Sequence, residues 1–121
     1  MLVTCIGNEP NTEWLANSNV KLEGGYIPVN RQMKVAGLDH VWAAGDVTKF
    51  VDDSLLFPNP SGLWQPALKQ GQIAGRSITK QGEMNTSVYA PGAIYNATTA
   101  WDLDLSTIGY HPDQDLSLIH I

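Results

Sequence analysis

The feature that most constrains this chain is a short apolar run that stops abruptly. His40-Val41-Trp42-Ala43-Ala44 has the β-branched and aromatic content of a compact strand and ends at Gly45-Asp46. Farther along, Trp64, Ala67, Leu68, Gly71, Ala74, Gly75 and Ile78 recur at offsets of three, four and seven, so apolar or small residues share one stripe of a helix. Gln65, Lys69, Gln72, Arg76 and Lys80 lie mostly off that stripe. Pro66 has no backbone N–H to give and must lie in the first turn, which places the helix start between Gly62 and Gln65. Strand, loop and helix in that order predict an α/β fold.

Composition narrows the class further. A length of 121 residues suits one ordinary domain, and 11 Gly with 7 Pro imply many loops between short elements. The net charge is -5 and the 7 Lys+Arg are scattered, which argues against a nucleic-acid or anionic-lipid surface. Cys5 has no second cysteine to pair with, so an oxidising compartment is not required and the cytoplasm is the expected location. No apolar run approaches the roughly 18 residues of a membrane-spanning helix. The chain opens inside a strand-like segment, and we expect further sequence upstream of Met1. At the other end Leu116-Ser117-Leu118-Ile119-His120-Ile121 reads like a translated transposase adapter from a sequencing library, so 116–121 is set aside as a processing scar, the alternative being a short strand.

The remaining segments fill in the order of elements. Leu2-Val3-Thr4-Cys5-Ile6 predicts a buried strand stopped by Gly7, and Asn11 or Thr12 can cap a short helix through Glu13-Trp14-Leu15-Ala16. Gly24-Gly25 makes a turn into Tyr26-Ile27-Pro28-Val29, a strand that Pro28 restricts to an edge. Residues 33–38 read as connecting chain and 50–60 as loop. Gln81-Gly82-Glu83 ends the helix, and two weaker strands, 93–98 and 105–109, are joined around Asp102-Leu103-Asp104.

Chemistry concentrates at Ala44-Gly45-Asp46-Val47. Glycine there lets backbone pass close to another group, and the Asp46 carboxylate is an acceptor at the carboxyl end of a strand, where open α/β sheets place ligands. Two carboxylate oxygens suit the vicinal hydroxyls of a polyol; the plain alternative is an aspartate that closes a turn. Taken with Ile6-Gly7-Asn8-Glu9-Pro10-Asn11-Thr12, Gly25-Tyr26-Ile27-Pro28-Val29-Asn30 and Trp64-Gln65-Pro66-Ala67-Leu68-Lys69-Gln70-Gly71-Gln72-Ile73-Ala74-Gly75, in that order, the chain strongly resembles the pyridine nucleotide-disulfide oxidoreductase superfamily, in the branch of rubredoxin reductase, NADH oxidase and the nitrite reductase flavoprotein. The resemblance covers residues 1–109.

That resemblance implies a carboxy-terminal fragment of an FAD-dependent oxidoreductase that takes electrons from NAD(P)H. The implied fold class is α/β, a fragment of a flavoprotein with two dinucleotide-binding domains followed by the start of an α+β interface domain. Residues 1–17 would end the NAD(P)-binding domain, 18–82 would form the carboxy-terminal part of the FAD-binding domain, and 83–115 would open a truncated interface domain. Asp46 would hold the ribityl hydroxyls of FAD, with Gly45 and Val47 supplying backbone close by. The helix start at Trp64, Gln65, Pro66 and Ala67 would face the pyrimidine edge of the flavin ring, where N–H groups stabilise the charge of the reduced form. Gly7 would pass near NAD(P). A small molecule or redox protein would accept the electrons, and the parent would form a homodimer through its carboxy-terminal domain.

Some family features are missing from these residues. No Gly-x-Gly-x-x-Gly loop is present to seat a pyrophosphate, and there is no redox cysteine pair, so the isolated chain is expected to be inactive and the acceptor stays unnamed. Other candidates weigh less. Cys5 reads as an inert core residue. His40 and His111 with Asp46 and Ser61 lack the Gly-x-Ser-x-Gly elbow of a hydrolase, and Asp52-Asp53 lacks converging metal ligands. Asn96-Ala97-Thr98 is a chance glycosylation match, Trp14, Trp42 and Trp101 are packing residues, and Trp64 belongs to the flavin. The competing class is a self-contained, non-enzymatic α/β protein-binding module that would use 50–60 and exposed tryptophans as its face.

Overall fold

The computed structural model describes Leu2 and residues 7–51, 62–79, 88–91 and 95–108. Its body is built around two three-residue strands, β1 (Ile27–Val29) and β2 (Thr48–Phe50), which pair in parallel with Ile27 opposite Thr48 and Val29 opposite Phe50. All of β1 is buried, and Pro28 fits because its partners do not need its missing N–H: Ile27 N donates to Val47 O and Val51 N to Val29 O. The Pro28 carbonyl accepts from Ala36 N, at 2.9 Å.

Upstream, Glu23 and Tyr26 exchange both backbone hydrogen bonds across Gly24 and Gly25, whose φ values of 59° and 86° are those a tight two-residue turn demands. Residues Glu13–Leu15 form a single 3-10 turn. The expected side-chain cap is not made. Thr12 is buried, and its hydroxyl donates instead to Gly25 O at 2.6 Å, tying this turn to the glycine turn. A buried hydroxyl takes the best acceptor within reach, and tertiary packing supplied a better one than the local N–H groups.

The stretch read as connecting chain, 33–38, is in fact the centre of the core. Asn30 organises it by accepting from Gln32 N and Lys34 N through its side chain, and Met33 and Val35 lie at 0% and 2% exposure. They pack with Leu15, Ile27, Val29, Phe50, Ala74 and Tyr89. The predicted strand over 40–44 is absent. Only Trp42 bridges, to Lys34, and Val41 is exposed; the parallel partner of β1 lies beyond Asp46. Apolar content signals burial but not the hydrogen-bonding neighbour that a strand requires.

Helix α1 (Trp64–Thr79) begins inside the predicted window, with Ala67 N donating to Leu63 O, so Pro66 sits in the first turn. Its buried face differs from the expected stripe. Gln70, Ala74 and Ser77 face inward, whereas Trp64, Leu68 and Ile78 are exposed. The helix is rotated so that Gln70 reaches the half-buried Gly45 backbone, and that polar contact outweighs the apolar periodicity. Strands β3 (Tyr95–Ala100) and β4 (Leu103–Ile108) form an antiparallel hairpin with Ala100 opposite Leu103, and no other described element lies against it. The predicted pair is present, but the turn falls at Trp101-Asp102, where Trp101 has φ 54°.

The strand expected over 2–6, the loop over 52–60, the helix stop at 81–83 and the end segment 116–121 fall outside the described residues, apart from Leu2, which is exposed. No described helix is long and apolar enough to cross a membrane.

Candidate functional site

Gly45 opens a hydrogen-bonded turn that carries Asp46 and Val47 into β2. Its φ is 88°, a left-handed value that favours glycine, and Gly45 O accepts from Thr48 N at 3.0 Å and from Thr48 Oγ1 at 2.8 Å. On its other side Gly45 N donates to Gln70 Oε1 at 2.7 Å. The expected order is therefore altered: Asp46 stands at the amino end of β2, not at the carboxyl end of a strand over 40–44.

This turn forms one wall of a cleft of about 710 Å³. Gly7, Asn8, Glu9, Pro10 and Asn11 line it as well, and Tyr26 and Gly62 complete the described lining with Asp46 and Val47. Pro10 is held there by close packing on the glycine turn, since a Cβ on Gly25 would fall 3.0 Å from Pro10 Cγ. Asp46 is exposed and makes no hydrogen bond or ion pair among the described residues.

The charges lining the cleft select its chemistry. Glu9 and Asp46 contribute carboxylates, and among the described residues no lysine, arginine or histidine joins them. Such a surface is suited to hydroxyl donors and unsuited to a pyrophosphate, whose negative charge two carboxylates would repel. The residues present thus fit the sugar-alcohol chain of a flavin better than its phosphates.

Of the predicted site residues, Gly7, Asp46 and Val47 come together in the cleft, and Gly62, two residues before the helix start, joins them. Gly45 lies behind the wall, where an added Cβ would meet only Ala67 Cβ at 4.0 Å. Pro66 and Ala67 are partly buried in the first turn of α1, while Trp64 and Gln65 project into solvent. Trp64 and Gln65 carry the N–H groups of a helix start, which have no partner among the described residues, since the first bond of the helical pattern comes from Ala67 N.

Sequence reasoning missed Glu9, Asn11 and Tyr26 as lining residues, and missed Gln70 and Thr48 as supports. Thr48 is fully buried and Gln70 is 4% exposed. Polar residues at such depth are recognisable only once burial is known. Conversely, Trp14 and Trp101, expected to pack, are 74% and 93% exposed, and Trp14 Nε1 donates to Asn11 O. Trp42 does pack against the core. Phe50, assigned to a protein-binding face in the competing reading, is buried and stacked on Tyr89 with ring centroids 5.1 Å apart. His40 is exposed, and the described residues contain no cluster of potential metal ligands. Cys5, Asp52, Asp53, Ser61 and His111 lie outside the described residues.

Comparison with known proteins shows the family. The model of the family described as pyridine nucleotide-disulphide oxidoreductase matches residues 1–71, which span the whole cleft. An NADH oxidase of Enterococcus faecalis is 35% identical over 81 residues, covering 67% of this chain and 18% of that protein. The human apoptosis-inducing factor 3 is 33% identical over 99 residues, covering 77% of this chain and 16% of its own length, and the mouse protein is 33% identical over 96 residues. The chain therefore spans less than a fifth of the curated relatives it matches. No solved structure matches it.

Proposed function

The chain belongs to the pyridine nucleotide-disulphide oxidoreductase family, and from that premise we propose that it supplies part of the flavin site of an FAD-dependent oxidoreductase drawing electrons from NAD(P)H. When bound, FAD would take hydride from the nicotinamide and pass the electrons to a second substrate.

The observation that carries this reading is the Asp46 carboxylate, which has no hydrogen-bond or ion-pair partner among the described residues and shares with Gly62 a cleft whose described lining holds no cationic side chain. Asp46 accepts hydrogen bonds from the vicinal hydroxyls of the ribityl chain. Val47 lines the same wall with the Gly45 turn behind it, and the N–H groups of Trp64 and Gln65 favour negative charge at the helix start. Gly7, in the same lining, belongs to the approach of the pyridine nucleotide. None of these residues performs the redox step; they orient and electrostatically support the group that does.

The finer assignments extend the same proposal. Residues 1–17, 18–82 and 83–115 correspond to the end of the NAD(P) domain, the carboxy-terminal part of the FAD domain and the opening of the interface domain. The β3–β4 hairpin would then belong to the domain through which a cytoplasmic parent dimerises. With no Gly-x-Gly-x-x-Gly loop in its sequence, the 121-residue chain alone turns nothing over. The test is Asp46→Ala in the full-length protein that carries these residues. Flavin content after gel filtration should fall; flavin retained at the unsubstituted level would refute the assignment of Asp46.

A further inference from the structure

Gln70 is the buried junction between α1 and the turn that carries Asp46. Its Oε1 lies 2.7 Å from Gly45 N and 3.1 Å from Thr48 Oγ1, and the side chain is almost wholly enclosed. Thr48 has a single hydroxyl proton, and Gly45 O at 2.8 Å is its nearer acceptor, so the Gly45 N–H is the main claim on the Gln70 carbonyl. Gly45 is thus clamped from both sides: its N–H by a helix residue, its carbonyl by β2.

We propose that Gln70 is a positioning residue of the cleft, acting through Gly45 N–H to hold the Gly45-Asp46 turn in the orientation that presents the Asp46 carboxylate. The proposal rests on reading the cleft as the site of the flavin polyol. Gln70 lines no part of the cleft itself, so it affects the ligand only through the backbone.

A role limited to stability would make any disturbance of Gln70 costly in the same way. A positioning role distinguishes variants by whether they keep an acceptor for Gly45 N–H. Gln70→Met keeps the length and removes the acceptor; Gln70→Glu keeps an acceptor and removes the amide donor.

The experiment uses the FAD-loaded full-length protein. It measures FAD release by recovery of flavin fluorescence after dilution, and amide hydrogen exchange over residues 43–47. Gln70→Met should release FAD about ten-fold faster, the scale of one lost hydrogen bond, and speed exchange at Gly45, while Gln70→Glu, which keeps an oxygen for Gly45 N–H, is impaired less than Gln70→Met on both measures. Equal impairment of the two variants, or unchanged release in Gln70→Met, overturns the positioning role. Asp46→Ala separates the two ideas. If it releases FAD no faster than the unsubstituted protein, the polyol reading of the cleft has failed; if it does and Gln70→Met does not, only the role of Gln70 has failed. Should Gln70→Met not fold, amide exchange in the unsubstituted protein takes its place: protection of Gly45 N–H above that of Asp46 N–H supports the clamp, and equally fast exchange of the two overturns it.

Discussion

Replacing Gly45 with alanine separates two reasons for a glycine at the aspartate turn. One is conformational, since φ at Gly45 is 88°; the other is space, the need for something to pass close by. Within the protein the second reason is weak, because an added Cβ would meet only Ala67 Cβ at an ordinary 4.0 Å. No hydrogen bond is lost, as Gly45 uses only its backbone N–H and carbonyl. What remains is the cost of holding an L-residue in the left-handed region, about 1–2 kcal/mol. With an m-value of roughly 2 kcal/mol/M in urea, the unfolding midpoint should fall by about 0.5–1 M. Two other glycines calibrate the result. Gly37, with φ 77° and nothing within 4 Å of an added Cβ, should cost the same when changed to alanine. Gly25 combines φ 86° with a contact of 3.0 Å to Pro10 Cγ and should cost more, by roughly the 1–3 kcal/mol of an overpacked site. Urea denaturation followed by tryptophan fluorescence reads all three variants. A loss at Gly45 exceeding that at Gly25, or no loss at Gly37, would refute the reasoning from backbone conformation. If Gly45→Ala and Gly37→Ala match in stability and Gly45→Ala alone loses flavin from the full-length protein, the space beside Gly45 is needed by the ligand.

The other expectations test the core and the buried polar groups. Met33→Ala removes a fully buried side chain and should cost about 2–5 kcal/mol by urea denaturation; a loss under about 1 kcal/mol would show that 33–38 is not part of the core. Ser77→Ala should be neutral or stabilising by up to about 1 kcal/mol, since Ser77 Oγ is buried without a hydrogen-bond partner, and marked destabilisation would reveal a missed contact. Burial raises the pKa of Tyr89 above its ordinary 10.0, against the opposing effect of its hydrogen bond with Gln70. Above about pH 10 the unfolded chain therefore loses this proton before the folded one, and the stability present at lower pH declines as the pH climbs toward the folded-state value. Tyr89→Phe should flatten that alkaline decline; an unchanged pH dependence would argue against the enclosed phenol.

Local chemistry was legible in the residues alone wherever it depends on one residue's own geometry. Pro66 placed the start of α1, Gly24-Gly25 marked their turn, and Gly45-Asp46 announced a junction, because missing N–H groups and tolerance of positive φ are intrinsic properties. The order of short motifs also carried the family. What the residues could not reveal was partnership. The run over 40–44 looks like a strand but finds only one bridge, while Thr48–Phe50, with Lys49 at its centre, pairs with β1. The small-residue stripe of α1 promised an inward face, yet the helix turns Gln70 inward, since leaving Gly45 N–H without an acceptor would cost more than exposing Leu68 and Ile78. Met33 and Val35 became core because Asn30 folds the intervening chain back onto β1. Periodicity records the average environment of a side chain. Which groups meet is settled by hydrogen bonds between residues far apart in the chain, and those exist only in the folded structure.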